Sequence, residues 1–250
     1  MFIESQHNNL FKELFALRDK KNRDASGLFL VEGQKQVLEI PKDRNIKYII
    51  VSESYNGNVP EGKVVTVSDR LFSKLAFTKT PQGIAAAVEK KEFDAAKIIK
   101  QNGFFVILEN ISDPGNLGTI IRSAHAFGAK AVFISKESAD VYSDKTIRSS
   151  MGSIFHIPVI DNANLNDIIK LLKQEKVLIA ATSPKAKKSL DGAIFTKKFA
   201  FIVGNESNGI SAQIQKTADV LIKIEMPGKA ESLNAAAAAA IIMYEASKKP

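Results

Sequence analysis

The 250-residue chain contains no cysteine and only three histidines. Without cysteine there is no disulfide, no thiolate zinc site and no cysteine nucleophile. His7, His125 and His156 stand far apart and form no H-E-x-x-H or close pair, so no metal site is expected. Apolar runs are short. None approaches the roughly 20 residues of a membrane span, and Met1 opens a polar segment without the basic-then-apolar pattern of a secretion signal. The expectation is a soluble, cytoplasmic protein. Three nucleotide and hydrolase fingerprints are also missing: G-x-G-x-x-G, G-x-x-x-x-G-K-[ST] and G-x-S-x-G. Their absence counts against dinucleotide, P-loop and serine-hydrolase chemistry.

What is present suits one large or two modest domains. Apolar residues make up 45%, enough for a sizeable core. The net charge is +8 and the pI about 9.4. The excess is spread evenly, with 17 basic and 13 acidic residues in 1–100 and 18 and 14 in 101–250, so no polybasic tail accounts for it. A basic background of this kind favours a polyanionic partner such as RNA.

Residues 1–90 read as a small α/β unit. Leu10 to Leu17 has helical spacing, followed by a basic patch from Arg18 to Arg23 that fits a solvated helix end or a phosphate-facing surface. Strands are expected at Leu28 to Val31, Ile46 to Val51, Lys63 to Val67 and Gly83 to Val88, with Ser68-Asp69 capping a helix through Leu75. Residues 91–102 are charged and end in Asn-Gly, as a linker or linker helix would. From residue 103 to 250 the pattern changes to alternating strands and helices. Phe104 to Leu108 is a near-continuous apolar run, and further strands are expected at Ala131 to Ile134, Val177 to Ala181, Phe199 to Val203 and Val220 to Met226. Helices are expected at Asn116 to Phe127, Asp144 to Ser150, Asn164 to Gln174 and Ser211 to Thr217. That alternation predicts an α/β fold with a parallel sheet covered on both faces.

In such a sheet ligands gather at the carboxyl ends of strands. Three polar, glycine-bearing loops leave such ends: Glu109 to Arg122, Gly204 to Ser211, and Met226 to Asn234. In the first, Asp113-Pro114-Gly115-Asn116 is expected to turn sharply, and Arg122 to lie about one and a half turns into the helix that follows. His125, one turn further on, fits a packed histidine better than a catalytic one. The third loop leads into six consecutive alanines, Ala235 to Ala240. They favour helix but bury little apolar area each, which suits a helix approached closely from several sides.

The three loops, in this order, resemble the three motifs of the SpoU (TrmH-like) RNA ribose 2′-O-methyltransferases, within the knotted SPOUT class. The matching stretches are ENISDPGNLGTIIRSAHAFGA (Glu109 to Ala129), FIVGNESNGIS (Phe201 to Ser211) and IKIEMPGKAESLNAAAAAAII (Ile222 to Ile242). Two stretches of the first unit, GLFLVEGQKQV (Gly27 to Val37) and TPQGIAAAVE (Thr80 to Glu89), resemble the RNA substrate-binding domain often fused in front. The chain departs from the pattern at Ser207-Asn208, where the family usually has another glycine, and in its unbroken alanine run.

The resemblance implies a deep trefoil knot in an α/β domain, a homodimer formed through that domain, and S-adenosylmethionine as methyl donor. It implies RNA as substrate, ribosomal RNA ahead of transfer RNA, and no metal. A noncatalytic RNA-binding or ribosome-assembly protein on the same scaffold is the alternative. By carry-over, Gly204, Ile224, Met226, Ser232, Leu233 and Asn234 bind the cofactor. Arg122 acts at the ribose hydroxyl or its neighbouring phosphate, Asn110 and Asn116 position the loop and the nucleotide, and Glu206 braces the second loop or the arginine site of the partner subunit.

Overall fold

The structure, a computed structural model, describes residues 1–190 and 195–248. Two compact units divide the chain: residues 1–91 with 142–155, and residues 92–141 with 156–250.

The first unit is a five-stranded mixed sheet with short helices. Its elements are β1 (Phe2–Ile3), α1 (Asn9–Ala16), α2 (Lys20–Ser26), β2 (Leu28–Glu32), α3 (Gln34–Leu38), β3 (Ile46–Ser52), β4 (Val64–Val67), α4 (Asp69–Leu75) and β5 (Ile84–Glu89). The order across the sheet is β1-β4-β3-β5-β2, parallel from β1 to β3 and antiparallel from there. Phe11, Leu14, Ile50, Val65, Leu71 and Phe72 lead its core. The basic patch is a separate short helix, α2, ended by Gly27 in the left-handed conformation at φ 68°. Residues 142–155 belong to this unit by proximity. The Tyr142 ring packs 4.7 Å from that of Phe29, and Arg44 Nη2 donates to the Phe155 carbonyl at 2.7 Å.

The second unit carries α5 (Ala95–Ile99), β6 (Gly103–Leu108), α6 (Pro114–Ala126) and β7 (Ala131–Ser135). Helix α7 (Asp144–Ser150) and the 3-10 turn Ser153–Phe155 lie in the segment that joins the first unit. Then follow β8 (Val159–Ala163), α8 (Leu165–Gln174), β9 (Leu178–Thr182), β10 (Lys188–Ser189), β11 (Lys198–Val203), α9 (Ala212–Gln215), β12 (Val220–Lys223) and α10 (Ala235–Ser247). All seven strands of this sheet run parallel, in the order β10-β12-β9-β11-β6-β7-β8. The expected parallel sheet is therefore present. Its continuous apolar strands follow from burial on both faces. Phe105, Ile107, Ile179 and Ile202 point to one side, where they meet α5, α8 and α9. The alternate residues Phe104, Val106, Phe201 and Val203 are buried as well. Helices α6 and α10 pack against each other outside the first cluster. The fully buried rings of Phe105, Phe133, Phe199 and Phe201 each contribute on the order of 1.5–3 kcal/mol.

Several boundaries differ from expectation. Helix α6 begins at Pro114 rather than Asn116: Asp113 is its N-cap and accepts from Asn116 N at 2.8 Å, with proline in the first turn. The Asp-Pro-Gly-Asn stretch is thus a helix start and not a sharp turn, and Arg122 lies more than two turns in. Strand β12 ends at Lys223, so Ile224 and Met226 have left the sheet. Strands β1, β8 and β10 were not expected; two of them are two-residue pieces too short for a periodic signal.

Candidate functional site

Chain order runs from β6 out to β7 and β8, then returns to place β9, β11 and β12 on the opposite side of β6. The reversal lies between β6 and β11, and the carboxyl ends on either side of such a reversal form a natural crevice. Because every strand is parallel, the loops after β6, β9, β11 and β12 all emerge at one end.

A ladder of side chains ties three of these loops together. Ser112 Oγ donates to Glu206 Oε2 at 2.9 Å, and Asn116 Nδ2 donates to Glu206 Oε1 at 2.9 Å. Asn234 Nδ2 donates in turn to Asn116 Oδ1 at 3.0 Å. Asn234 is also the N-cap of α10, its Oδ1 accepting from Ala236 N at 2.9 Å and Ala237 N at 3.3 Å. Residues 116, 206 and 234, 118 positions apart at the extremes, so become one bonded array.

The second loop is folded on itself. Asn205 and Gly209 exchange both backbone hydrogen bonds, at 3.0 and 2.9 Å. Asn205 Oδ1 accepts from Ser207 N and Asn208 N, which holds the two residues that depart from the family pattern in an Asx turn. Gly209 supplies the left-handed conformation, at φ 68°. Gly204 is required for space: a Cβ there would lie 2.3 Å from the Gly209 carbonyl carbon.

Glu109 anchors this loop from beneath. It is 7% exposed and accepts from Ser211 N at 2.8 Å and Ser211 Oγ at 2.7 Å. Sequence reasoning passed it over, although a carboxylate ending a fully apolar strand is itself a signal that a partner must exist. Asn110 adopts φ 56°; its Oδ1 accepts from Ser135 Oγ at 3.0 Å and its carbonyl accepts from Asn205 Nδ2 at 2.9 Å. Its side chain is thus committed to β7 and holds the first loop to the second.

The second and third loops enclose a cavity of about 580 Å³, within the size range of cofactor pockets. Gly204, Ile224, Met226, Ser232, Leu233 and Glu206 line it. Asn234, the cap of α10, lies outside the lining, as do Asn110, Asn116 and Arg122. Apolar walls come from Leu221, Ile222, Ala235, Ala238 and Ile242. The alanines let α10 approach the cavity without filling it. The loop after β9, from Thr182 to Lys185, also lines it and was missed, because it carries neither glycine nor a motif.

Burial pushes the Glu206 carboxyl up, but hydrogen bonds from Asn116, its own backbone and Ser112 together outweigh this and hold it below the ordinary 4.5. The ionised form therefore favours the bonded loop. That contribution is complete above pH 4.5 and is lost as pH falls through the lowered folded value. We expect cofactor affinity, followed by calorimetry from pH 7 to 4, to decline below 4.5. In Glu206→Gln the acid decline should vanish and affinity at pH 7 should be lower. An unchanged acid limb in that variant would assign the titration elsewhere.

Arg122 is exposed on α6 and has no hydrogen bond or ion pair with other described residues. One turn on, the His125 ring stacks on His156 with centroids 5.1 Å apart and planes 8° apart. Burial, then the neighbouring His156, pulls the His125 pKa down. Among the described residues no group of three or more His, Asp and Glu is placed to hold a metal, and no helix is long and apolar enough to cross a membrane.

The cavity suits S-adenosylmethionine. Aliphatic walls fit an adenine ring, the loop backbones supply donors and acceptors for its edges, and Lys185 adds a cation with no partner among the described residues. A parallel α/β sheet with such a pocket at the carboxyl ends of β9, β11 and β12 is the arrangement of a cofactor-binding α/β enzyme. Residues 103–244 match the SpoU rRNA Methylase family, and residues 8–86 match the MRM3-like substrate binding domain. The chain belongs to the SpoU methyltransferase family. It is 37% identical to the 23S rRNA (guanosine(2553)-2′-O)-methyltransferase RlmP of Bacillus subtilis (strain 168), with 97% of each chain covered. Its fold matches the AdoMet-bound rRNA methyltransferase from Sinorhizobium meliloti with a TM-score of 0.87 at 30% identity, covering 99% of this chain and 97% of that one. The SpoU methyltransferase AviRb from Streptomyces viridochromogenes in complex with AdoMet also gives 0.87, at 26% identity, with 97% and 98% covered.

Proposed function

We infer that the protein transfers a methyl group from S-adenosylmethionine to a ribose 2′-hydroxyl of ribosomal RNA. The observation that carries this reading is the Ser112–Glu206–Asn116–Asn234 ladder, which bonds the first motif loop to the second and third, the two that line the cavity. The relatives' substrates and the matched substrate-binding unit support ribosomal RNA.

When bound, the cofactor supplies an electrophilic methyl group on a sulfonium. The work of the chain is alignment, because a single displacement needs donor and acceptor in line and no covalent enzyme intermediate. Gly204, Ile224, Met226, Ser232 and Leu233 hold the cofactor. Glu206 keeps Asn116 and Ser112 fixed, and Asn234 ties them to α10. The planar guanidinium of Arg122 holds the phosphate next to the target ribose and stabilises charge developing on the attacking oxygen.

Two further features of the family accompany this reading. α10 is the helix that a trefoil knot would thread, and its slim alanines suit that passage. Ala237, Ile241 and Tyr244 form an exposed stripe on α10, with Phe127 edge-on to Tyr244 at 5.9 Å. A homodimer covers this stripe; light scattering that gives the mass of one chain at micromolar concentration would remove the dimer from the proposal.

Purified protein given methyl-labelled S-adenosylmethionine and ribosomal RNA should label the RNA at positions that resist alkaline cleavage. Label confined to bases would reject the ribose assignment. Label in transfer RNA alone would move the substrate. Failure to bind the cofactor would favour a noncatalytic RNA-binding role.

A further inference from the structure

The first unit holds a second cavity, of about 420 Å³. It lies beyond the carboxyl ends of β3 and β4, where an open α/β sheet collects ligands. Its lining differs in kind from that of the cofactor cavity. Ser52, Ser54, Asp69, Ser73 and Gln82 present hydrogen-bonding groups, and Tyr55 provides an aromatic wall. The walls are closely fitted. Gly83 sits at φ 78°, and a Cβ there would lie 2.7 Å from Ser52 Oγ and 3.3 Å from the Tyr55 ring. Ser52 itself is 5% exposed. Tyr55 Oη donates to the Asn58 carbonyl at 2.8 Å, which fixes the ring.

Two polar groups keep unused capacity. Asp69 Oδ1 accepts from Ser54 Oγ at 2.7 Å and Ser54 N at 3.3 Å, and the Ser52 hydroxyl also bonds the carboxylate; its two oxygens offer about four acceptor sites, so capacity remains. The bond from the Ser54 hydroxyl, against a smaller effect of burial, holds this carboxyl below its ordinary value, so at neutral pH it only accepts. Gln82 Oε1 accepts from Gln34 N at 2.8 Å. This orients the amide and leaves Nε2 as a donor without a partner among the described residues.

We propose that this cavity takes one unstacked nucleobase of the RNA substrate. The proposal rests on the RNA-methyltransferase reading above. Asp69 is the one charged side chain in the lining. A fixed anion with no cation beside it repels phosphate and acidic ligands, and accepts the N–H groups on a base edge. Gln82 Nε2 meets an acceptor on that same edge. The Tyr55 ring offers a stacking face, and single-stranded RNA is commonly held by such a face together with bonds to the base edge. The cavity thus reads one base of the RNA substrate by its edge and its face.

The test compares two oligonucleotides of equal length and charge, single-stranded oligouridylate and the same backbone carrying abasic ribose. Binding to the full-length protein is followed by fluorescence anisotropy. Wild type should bind the base-bearing RNA more tightly. Tyr55→Leu and Asp69→Asn should each lower the preference for base-bearing over abasic RNA by about fivefold or more. Asp69→Asn keeps an acceptor for Ser54, so it guards against a folding artefact in Tyr55→Leu, and the thermal midpoint of each variant is measured alongside. Variants that bind both RNAs as wild type does, or that lose both equally, overturn the proposal. Cofactor affinity is measured in the same preparations. Its retention with an unaffected base preference rejects only the nucleobase site, whereas its absence in wild type rejects the methyltransferase reading.

Discussion

Arg122→Ala should lower methyl transfer to RNA by about 10²–10³-fold, the usual effect of removing a group that stabilises developing oxyanion charge. Cofactor affinity should change little, because Arg122 does not line the cofactor cavity. The side chain is exposed and has no partner among the described residues, so its loss strands no buried charge and leaves α6 intact. Arg122→Lys separates two roles. If the charge alone matters, much activity returns. If a planar, two-pronged grip on phosphate is needed, lysine restores little. Single-turnover rates with labelled cofactor, beside calorimetric affinities, decide the matter. Wild-type turnover in Arg122→Ala would remove it from the chemistry.

Gly204→Ala should be the most damaging small change in the cofactor cavity. The added methyl would meet the carbonyl carbon and oxygen of Gly209 at 2.3 Å each and Ile210 N at 2.4 Å. These are backbone atoms, so no side chain can swing aside. The whole turn from Asn205 to Gly209 must move, and with it Glu206. We expect a stability loss of about 1–3 kcal/mol, as for overpacking generally, and a fall in cofactor affinity of about tenfold or more, since 1.4 kcal/mol is tenfold. Gly228→Ala serves as control. A Cβ at Gly228 meets nothing within 4 Å, so its thermal midpoint and affinity should stay near those of wild type. Equal behaviour of the two variants would show that the close approach at Gly204 is not what shapes the cavity.

Much of this arrangement could be read from residue order. β6 and β11 are legible because strands buried on both faces leave unbroken apolar runs, FFVIL and FAFIV. The three loops are legible because glycine, proline and asparagine mark chain reversals. What escaped depends on tertiary partners. Glu109 looks like a loop residue until Ser211, 102 positions later, is seen to satisfy it. The loop at Thr182 to Lys185 has no local signature; only the placement of β9 between β11 and β12 brings it to the cavity. β8 escaped because its outer part is only partly buried and its alternation is weak. The start of α6 was placed two residues late because Asp-Pro-Gly-Asn spells a turn as readily as a cap followed by proline.

The ladder from Glu206 through Asn116 to Asn234 has a thermodynamic corollary. Asn116 belongs to the helix that carries Arg122, whereas Glu206 faces the cofactor cavity and Asn234 begins the helix forming its wall. A methyl donor that orders Glu206 and α10 therefore biases the same hydrogen bonds that set α6. The two substrates become linked through these shared bonds as well as through the contact that transfer itself requires. By reciprocity, whatever factor the donor adds to RNA affinity, RNA returns to the donor. Release of the demethylated donor product, which lacks the sulfonium charge, would then loosen the grip on the methylated RNA, so turnover carries its own means of letting go.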